Sequence, residues 1–263
     1  MMSFIRIVFI VAVIAYAGTC ATLYFFQRQL LYFPTPETDS SHAEAFTIEN
    51  DGHALKIWKA RSAAEGDTRK AILYFGGNAE TVVMNAPQLP ASTPDYDVFF
   101  ANYRGYGGSG GKPSEAALFS DALALFDVVQ DDYDEIAVIG RSLGSGVATY
   151  LAAERPVERM FLITPYDSIR HVAQSKFPFI PVSLLLKDHY DSAARAPSVT
   201  APVMIIIAEH DGVIPKRHSD TLAAQFENAP AESLSISGTD HLSVSSDSEF
   251  WRALSSFFGA DRD

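Results

Sequence analysis

Five short runs of almost unbroken apolar residues limit what this chain can become. They fall at residues 71–75, 98–101, 136–139, 160–163 and 203–208. Each has the length of a strand, and none alternates apolar with polar, so each predicts a strand covered on both faces. Helix-like segments separate them, at 114–130, 143–153, 218–226 and 249–258. In the first, Ser114 stands ahead of Ala117, Leu118, Ala122 and Leu125, an N-cap before an amphipathic face. Strand–helix alternation of this kind predicts an α/β fold, a mostly parallel central sheet with helices on both faces. Ahead of it, residues 45–49 and 54–58 flank Asn50-Asp51-Gly52, which suits a tight antiparallel hairpin. The 48% hydrophobic content supplies a core for such a sheet. Residues 44–263 carry no internal repeat and no second linker, so they read as one domain.

The N-terminus follows a different pattern. From Ile7 to Gln27 there is no charged residue. A helix of that length spans roughly 32 Å, against about 30 Å for a bilayer's hydrocarbon core. Residues 1–30 therefore read as one transmembrane anchor. A cleaved signal peptide is the alternative, because Ala15-Tyr16-Ala17 has the small-x-small form of a cleavage site. Lipidation at Cys20 fits less well, with Thr19 before the cysteine. Residues 31–43, with Pro34-Thr35-Pro36 and a polar tail, read as an extended linker. Arg6 and the α-amino group precede the run and Arg28 follows it, so the positive-inside rule favours a cytoplasmic N-terminus by the amino group alone. The domain at 44–263 is then expected on the extracytoplasmic, in a bacterium periplasmic, side.

The charge balance narrows the partners. Lys and Arg total 20 and Asp and Glu 32, a net charge of −12. With no basic cluster, nucleic acid is not expected as a partner. A single cysteine excludes an internal disulfide framework and cysteine-based metal centres. No His/Asp group has ligand spacing, so neither a metal nor an organic cofactor is expected.

The chemistry concentrates at Gly140-Arg141-Ser142-Leu143-Gly144. An apolar strand precedes this G-x-S-x-G motif and an Ala-rich helix follows it. In that setting the glycines permit a sharp turn that exposes the Ser142 hydroxyl at the sheet's carboxyl edge. A serine needs a base to take its proton, and the base needs an orienting acid. Asp211 follows the run 203–208, and His241 follows an alternating strand at 234–237. Both therefore fall on the same edge as Ser142, in the chain order Ser, Asp, His. Asp167, after 160–163, is the competing acid, and Glu209 is a weaker one. Among the other histidines, His42 and His53 precede the main sheet and His218 lies in a surface helix. His171 and His189 lie in the segment after Thr164, and His210 shapes the acid's loop. Two backbone N–H groups must receive the oxyanion. Leu143 would supply one, and Asn78, in the loop Phe75-Gly76-Gly77-Asn78-Ala79, the other.

Taken with Gln29-Leu30-Leu31-Tyr32-Phe33-Pro34, Asn102-Tyr103-Arg104-Gly105-Tyr106-Gly107-Gly108-Ser109-Gly110 and Phe179-Ile180-Pro181-Val182, these motifs resemble the α/β-hydrolases. Within them, the chain is similar to membrane-anchored serine hydrolases with one N-terminal helix, a group that includes depalmitoylases. The resemblance implies an α/β-hydrolase fold with a small lid insert, and hydrolysis of an acyl ester, a thioester or a lipid-like substrate. A peptidase on the same triad, or a scaffold without turnover, are the rival readings. One departure stands out: the family usually has His where this chain has Gly76, which removes one anchor of the oxyanion loop. The apolar segment 165–201 is either a short cap beside Ser142 or an ordinary packing segment.

Overall fold

The computed structural model describes residues 2–62 and 69–259, so the last four residues of the expected domain lie outside the described residues. Its strands are β1 (Glu44–Asn50), β2 (His53–Ala60), β3 (Lys70–Phe75), β4 (Asp97–Ala101), β5 (Glu135–Arg141), β6 (Met160–Ile163), β7 (Val203–Ala208) and β8 (Ala231–Ile236). They form one sheet in the order β1-β2-β4-β3-β5-β6-β7-β8. The five apolar runs are β3 to β7, and these pair in parallel, as does β8 with β7. Strand β2 is antiparallel to both β1 and β4. Asp51 and Gly52 turn the β1–β2 hairpin at φ 49° and 73°, the pair of positive values that a two-residue turn of matching twist requires.

The helices are α1 (Met2–Leu31), α2 (Leu89–Ser92), α3 (Glu115–Val129), α4 (Leu143–Glu154), α5 (Ile169–Lys176), α6 (Val182–Leu185), α7 (Ser192–Arg195), α8 (Lys216–Ala223) and α9 (Ser248–Phe257). Alternate residues of each central strand serve opposite faces. Leu73, Phe75, Val138 and Leu162 pack with Leu118, Val147 and Leu222, from α3, α4 and α8. Ile72, Tyr74, Ile139 and Phe161 pack with Leu89, Phe250 and Leu254, from α2 and α9. Each fully buried side chain of this size contributes about 1.5–3 kcal/mol, which explains why the runs are apolar at every position. Helix α3 begins where expected, with the Ala117 N–H donating to Ser114 Oγ at 3.3 Å.

Helix α1 is 30 residues long, about 45 Å, and its most apolar 18-residue window has mean hydropathy 2.2 and lies outside the core. Its last turn is tied to the domain. Arg28 donates to both oxygens of Asp188, at 2.9 and 3.1 Å, and the Asp188 side chain is almost fully buried. The following segment has no regular structure, yet it does not stand free. Tyr32 is buried in the core, the Gly107 N–H donates to Thr35 O at 3.0 Å, and Lys56 pairs with Glu37 at 2.9 Å. Its polar, Pro-containing composition predicts an extended linker, and these contacts hold the segment to the domain. The insert after β6 holds α5, α6 and α7, all short.

Candidate active site

Parallel strands bring their carboxyl ends to one edge, and four of them carry the candidate groups there. Ser142 sits between β5 and α4 with φ 48° and ψ −114°, a conformation costing about 1–3 kcal/mol for a residue with a side chain. Close packing enforces this turn. A Cβ on Gly144 would lie 2.0 Å from the Phe75 carbonyl oxygen, and one on Gly140 would lie 2.6 Å from the Gly144 carbonyl oxygen. The Ser142 N–H donates to Ile163 O at 2.9 Å, and Ser145 Oγ donates to Ser142 O at 2.6 Å. With its backbone held on both sides, the side chain projects past the strand end.

His241 Nε2 lies 2.9 Å from Ser142 Oγ, and His241 Nδ1 lies 2.7 Å from Asp211 Oδ2. A carboxylate only accepts, so Nδ1 carries the hydrogen and Nε2 is left as the acceptor facing the serine. Asp211 is fixed in turn: its Oδ1 accepts the N–H groups of Val213 at 2.8 Å and Ile214 at 2.7 Å. The His241 and Asp211 side chains are both largely buried. Beside His241, Asp240 closes a turn by accepting the N–H groups of Leu242 at 3.0 Å and Ser243 at 2.8 Å. Those bonds, Ser243's first, hold its carboxyl below the usual range.

The competing acid is engaged elsewhere. Asp167 is buried and takes hydrogen bonds from His171 Nδ1 at 2.7 Å and His218 Nδ1 at 2.8 Å. It joins α5 to α8 and makes no bond to His241. Glu209 accepts from the Gly238 N–H at 2.8 Å and is paired with His210 at 3.7 Å.

Leu143 opens α4, so its N–H has no acceptor within the helix. Ser142 lies against the other candidate loop: a Cβ built on Gly77 would be 3.6 Å from Ser142 Cβ. That loop is held by groups that sequence reasoning missed. Glu80 accepts the Gly77 N–H at 2.5 Å, the Tyr74 hydroxyl at 2.7 Å and Asn85 Nδ2 at 2.7 Å. Burial, and next the Glu80 charge, push the Tyr74 hydroxyl well above its ordinary pKa, so it remains a donor. Tyr103 donates to Gly76 O at 2.7 Å, and burial keeps its hydroxyl protonated as well. The Asn78 side chain points away from Ser142. Its Oδ1 accepts from Tyr106 Oη at 2.8 Å and Phe33 N at 2.9 Å, and its Nδ2 donates to Leu31 O at 2.6 Å. The loop is therefore stitched to the end of α1. An acid three residues after Gly76-Gly77 is the only local sign of Glu80. Tyr103 and Tyr106 stand in the glycine-rich segment 102–110, whose pattern alone assigns them no role.

Among the described residues no group of three or more His, Cys, Asp or Glu could hold a metal ion.

Comparison with known proteins agrees on the framework. The family profile described as alpha/beta hydrolase fold matches residues 70–180. An uncharacterized protein of Mycobacterium tuberculosis, Rv2307c, is 34% identical over 247 residues, covering 89% of this chain and 87% of that protein. The lysophosphatidylserine lipase ABHD12 of Danio rerio is 31% identical over 214 residues, covering 69% of this chain and 55% of the lipase. Among solved structures, the esterase Pf2001 of Pyrococcus furiosus superposes with a TM-score of 0.68 at 17% identity, over 86% of this chain and 96% of that one. From the strand order, the matched profile and relatives of this coverage together, the chain belongs to the α/β-hydrolase family.

Proposed function

We propose that the protein is a membrane-anchored serine hydrolase that cleaves carboxylic esters or thioesters through an acyl-enzyme. One observation carries the reading: Ser142, His241 and Asp211 form a continuous hydrogen-bonded relay of 2.9 and 2.7 Å on one edge of the sheet. Ser142 Oγ attacks the carbonyl carbon as its proton passes to His241 Nε2. Asp211 holds the imidazole in the accepting tautomer and stabilises the imidazolium. The N–H groups of Leu143 and Asn78 receive the oxyanion, with the N-terminus of α4 adding its positive end. His241 then protonates the leaving alcohol or thiol. Water, deprotonated by the same imidazole, releases the acid and restores Ser142. The catalytic domain, residues 44–263, uses no metal or organic cofactor in this scheme, and α1 holds it to the membrane on the extracytoplasmic side. Similarity to proteins called a lipase and an esterase favours ester chemistry over peptide cleavage.

The test is a panel of p-nitrophenyl butyrate, a butyryl thioester and a peptide, given to the full chain and to Ser142→Ala. Turnover of the ester or thioester is expected, falling by about 10⁴-fold or more in the variant. Cleavage of the peptide alone would make it a peptidase. Absence of all three reactions in folded protein would leave a scaffold.

A further inference from the structure

An apolar recess lies between α1 and the insert, and no residue of the hydrogen-bonded relay lines it. Its volume is about 170 Å³, with Leu23 and Leu31 of α1 on one wall and Ala173, Ile180, Val182 and Leu185 on the other. Gln27 is the one polar side chain in its lining. Both ends of its amide are occupied: Nε2 donates to Leu185 O at 3.0 Å, and Oε1 accepts the Lys187 N–H at 2.6 Å. The recess therefore offers hydrocarbon and asks a ligand for no hydrogen bond.

Its surroundings specify the medium from which it fills. The insert runs beside α1 from Arg28, paired with Asp188, up to Tyr16, whose hydroxyl donates to Phe179 O at 2.8 Å. The twelve residue steps from Tyr16 to Arg28 cover about 18 Å, more than half of a bilayer's hydrocarbon core of about 30 Å. Residues 177–186 carry no charge and are bordered by Lys176 and Lys187. Phe179 is 87% exposed and Leu184 83% exposed, side chains that water would not favour and lipid would. Lys187 Nζ lies 4.2 Å over the Tyr24 ring, as at a headgroup boundary. Leu31 lines the recess, and its carbonyl accepts from Asn78 in the oxyanion loop.

We propose that this recess is the acyl-chain site, and that it receives the hydrocarbon tail of the ester or thioester directly from the leaflet in which α1 and residues 177–186 are embedded. The proposal rests on the anchored-hydrolase reading above and adds a long-chain substrate class and its route. It also gives Asn78 a second task, joining the tail site to the oxyanion loop.

Full-length protein in phosphatidylcholine vesicles tests it with two probes. The first is the ratio of kcat/KM for p-nitrophenyl palmitate to that for p-nitrophenyl butyrate. Filling the recess with Ala173→Trp, or independently with Ile180→Trp, should lower that ratio tenfold or more. A smaller change in both folded variants overturns the proposal. The second probe needs no turnover: diazirine-bearing palmitate photolysed with Ser142→Ala protein. Labelling that saturates and maps to residues 173–186 is expected. Labelling that never saturates and stays on the outer face of α1 overturns it, even if neither tryptophan variant folds. Failure of the wild-type protein to cleave butyrate would instead remove the hydrolase reading and leave the photolabel to report on the recess.

Discussion

Replacing Asp211 by Asn tests the relay at the end farthest from the substrate. Asp211 Oδ1 accepts two backbone N–H groups, from Val213 and Ile214. An amide NH₂ in that position would face two donors, so the carbonyl oxygen of Asn must stay there. Its NH₂ then faces His241 Nδ1, now 2.7 Å from an acceptor, and can be accommodated only if Nδ1 gives up its hydrogen. That hydrogen moves to Nε2, which points at Ser142 Oγ, and the serine loses its base. A wrong tautomer of this kind costs about 10⁴-fold in kcat, about 5.4 kcal/mol at roughly 1.36 kcal/mol per tenfold. The shape of the side chain is unchanged, so folding should be retained. The assay is steady-state hydrolysis of p-nitrophenyl butyrate, with Asp167→Asn measured beside it. Asp167 bonds to His171 and His218, so its substitution should lower kcat by less than about tenfold and act through the α5–α8 contact. Near-wild-type turnover in Asp211→Asn with collapse in Asp167→Asn would refute the assignment of the acid.

Two further outcomes follow from the site and the anchor. Glu80→Ala leaves the Gly77 N–H, Tyr74 and Asn85 without their shared acceptor. It should lower kcat about 10–10²-fold with KM little changed, short of the 10²–10³ for outright loss of an oxyanion donor; unchanged kcat would show that the loop needs no such tie. A reporter fused after Asp263 and active only outside the cytoplasm should give signal, while one active only inside should not. The reverse pattern would invert the topology.

Much of the framework is legible locally because it arises from local causes. A strand buried on both faces must be apolar throughout, and β3 to β7 match the five runs to within two residues at each end. Asp51-Gly52 had to adopt positive φ, and the spacing of Gly140, Ser142 and Gly144 reflects contacts within one turn. The order of Ser142, Asp211 and His241 is readable because each follows a strand of the same parallel sheet. What escapes is made by contacts distant in sequence. Arg28 meets Asp188 across 160 residues, and Asn78 meets Leu31 across 47; no periodicity reports either. Composition gives Pro34-Thr35-Pro36 as extended chain, yet only the fold supplies Gly107 as the partner that holds it down. The insert is apolar under both of its sequence readings, a cap beside Ser142 or an ordinary packing segment, and only the fold sets it beside α1.

The central claim is that Ser142 is the nucleophile, and labelling of the folded full-length protein with a fluorophosphonate tests it most directly. An activated serine attacks phosphorus and leaves a stable adduct, so intact mass should rise by one label per chain. Peptide mapping should place that label on Ser142, and Ser142→Ala should take none. A folded wild-type protein that remains unlabelled, or carries the adduct on another serine, would contradict the account.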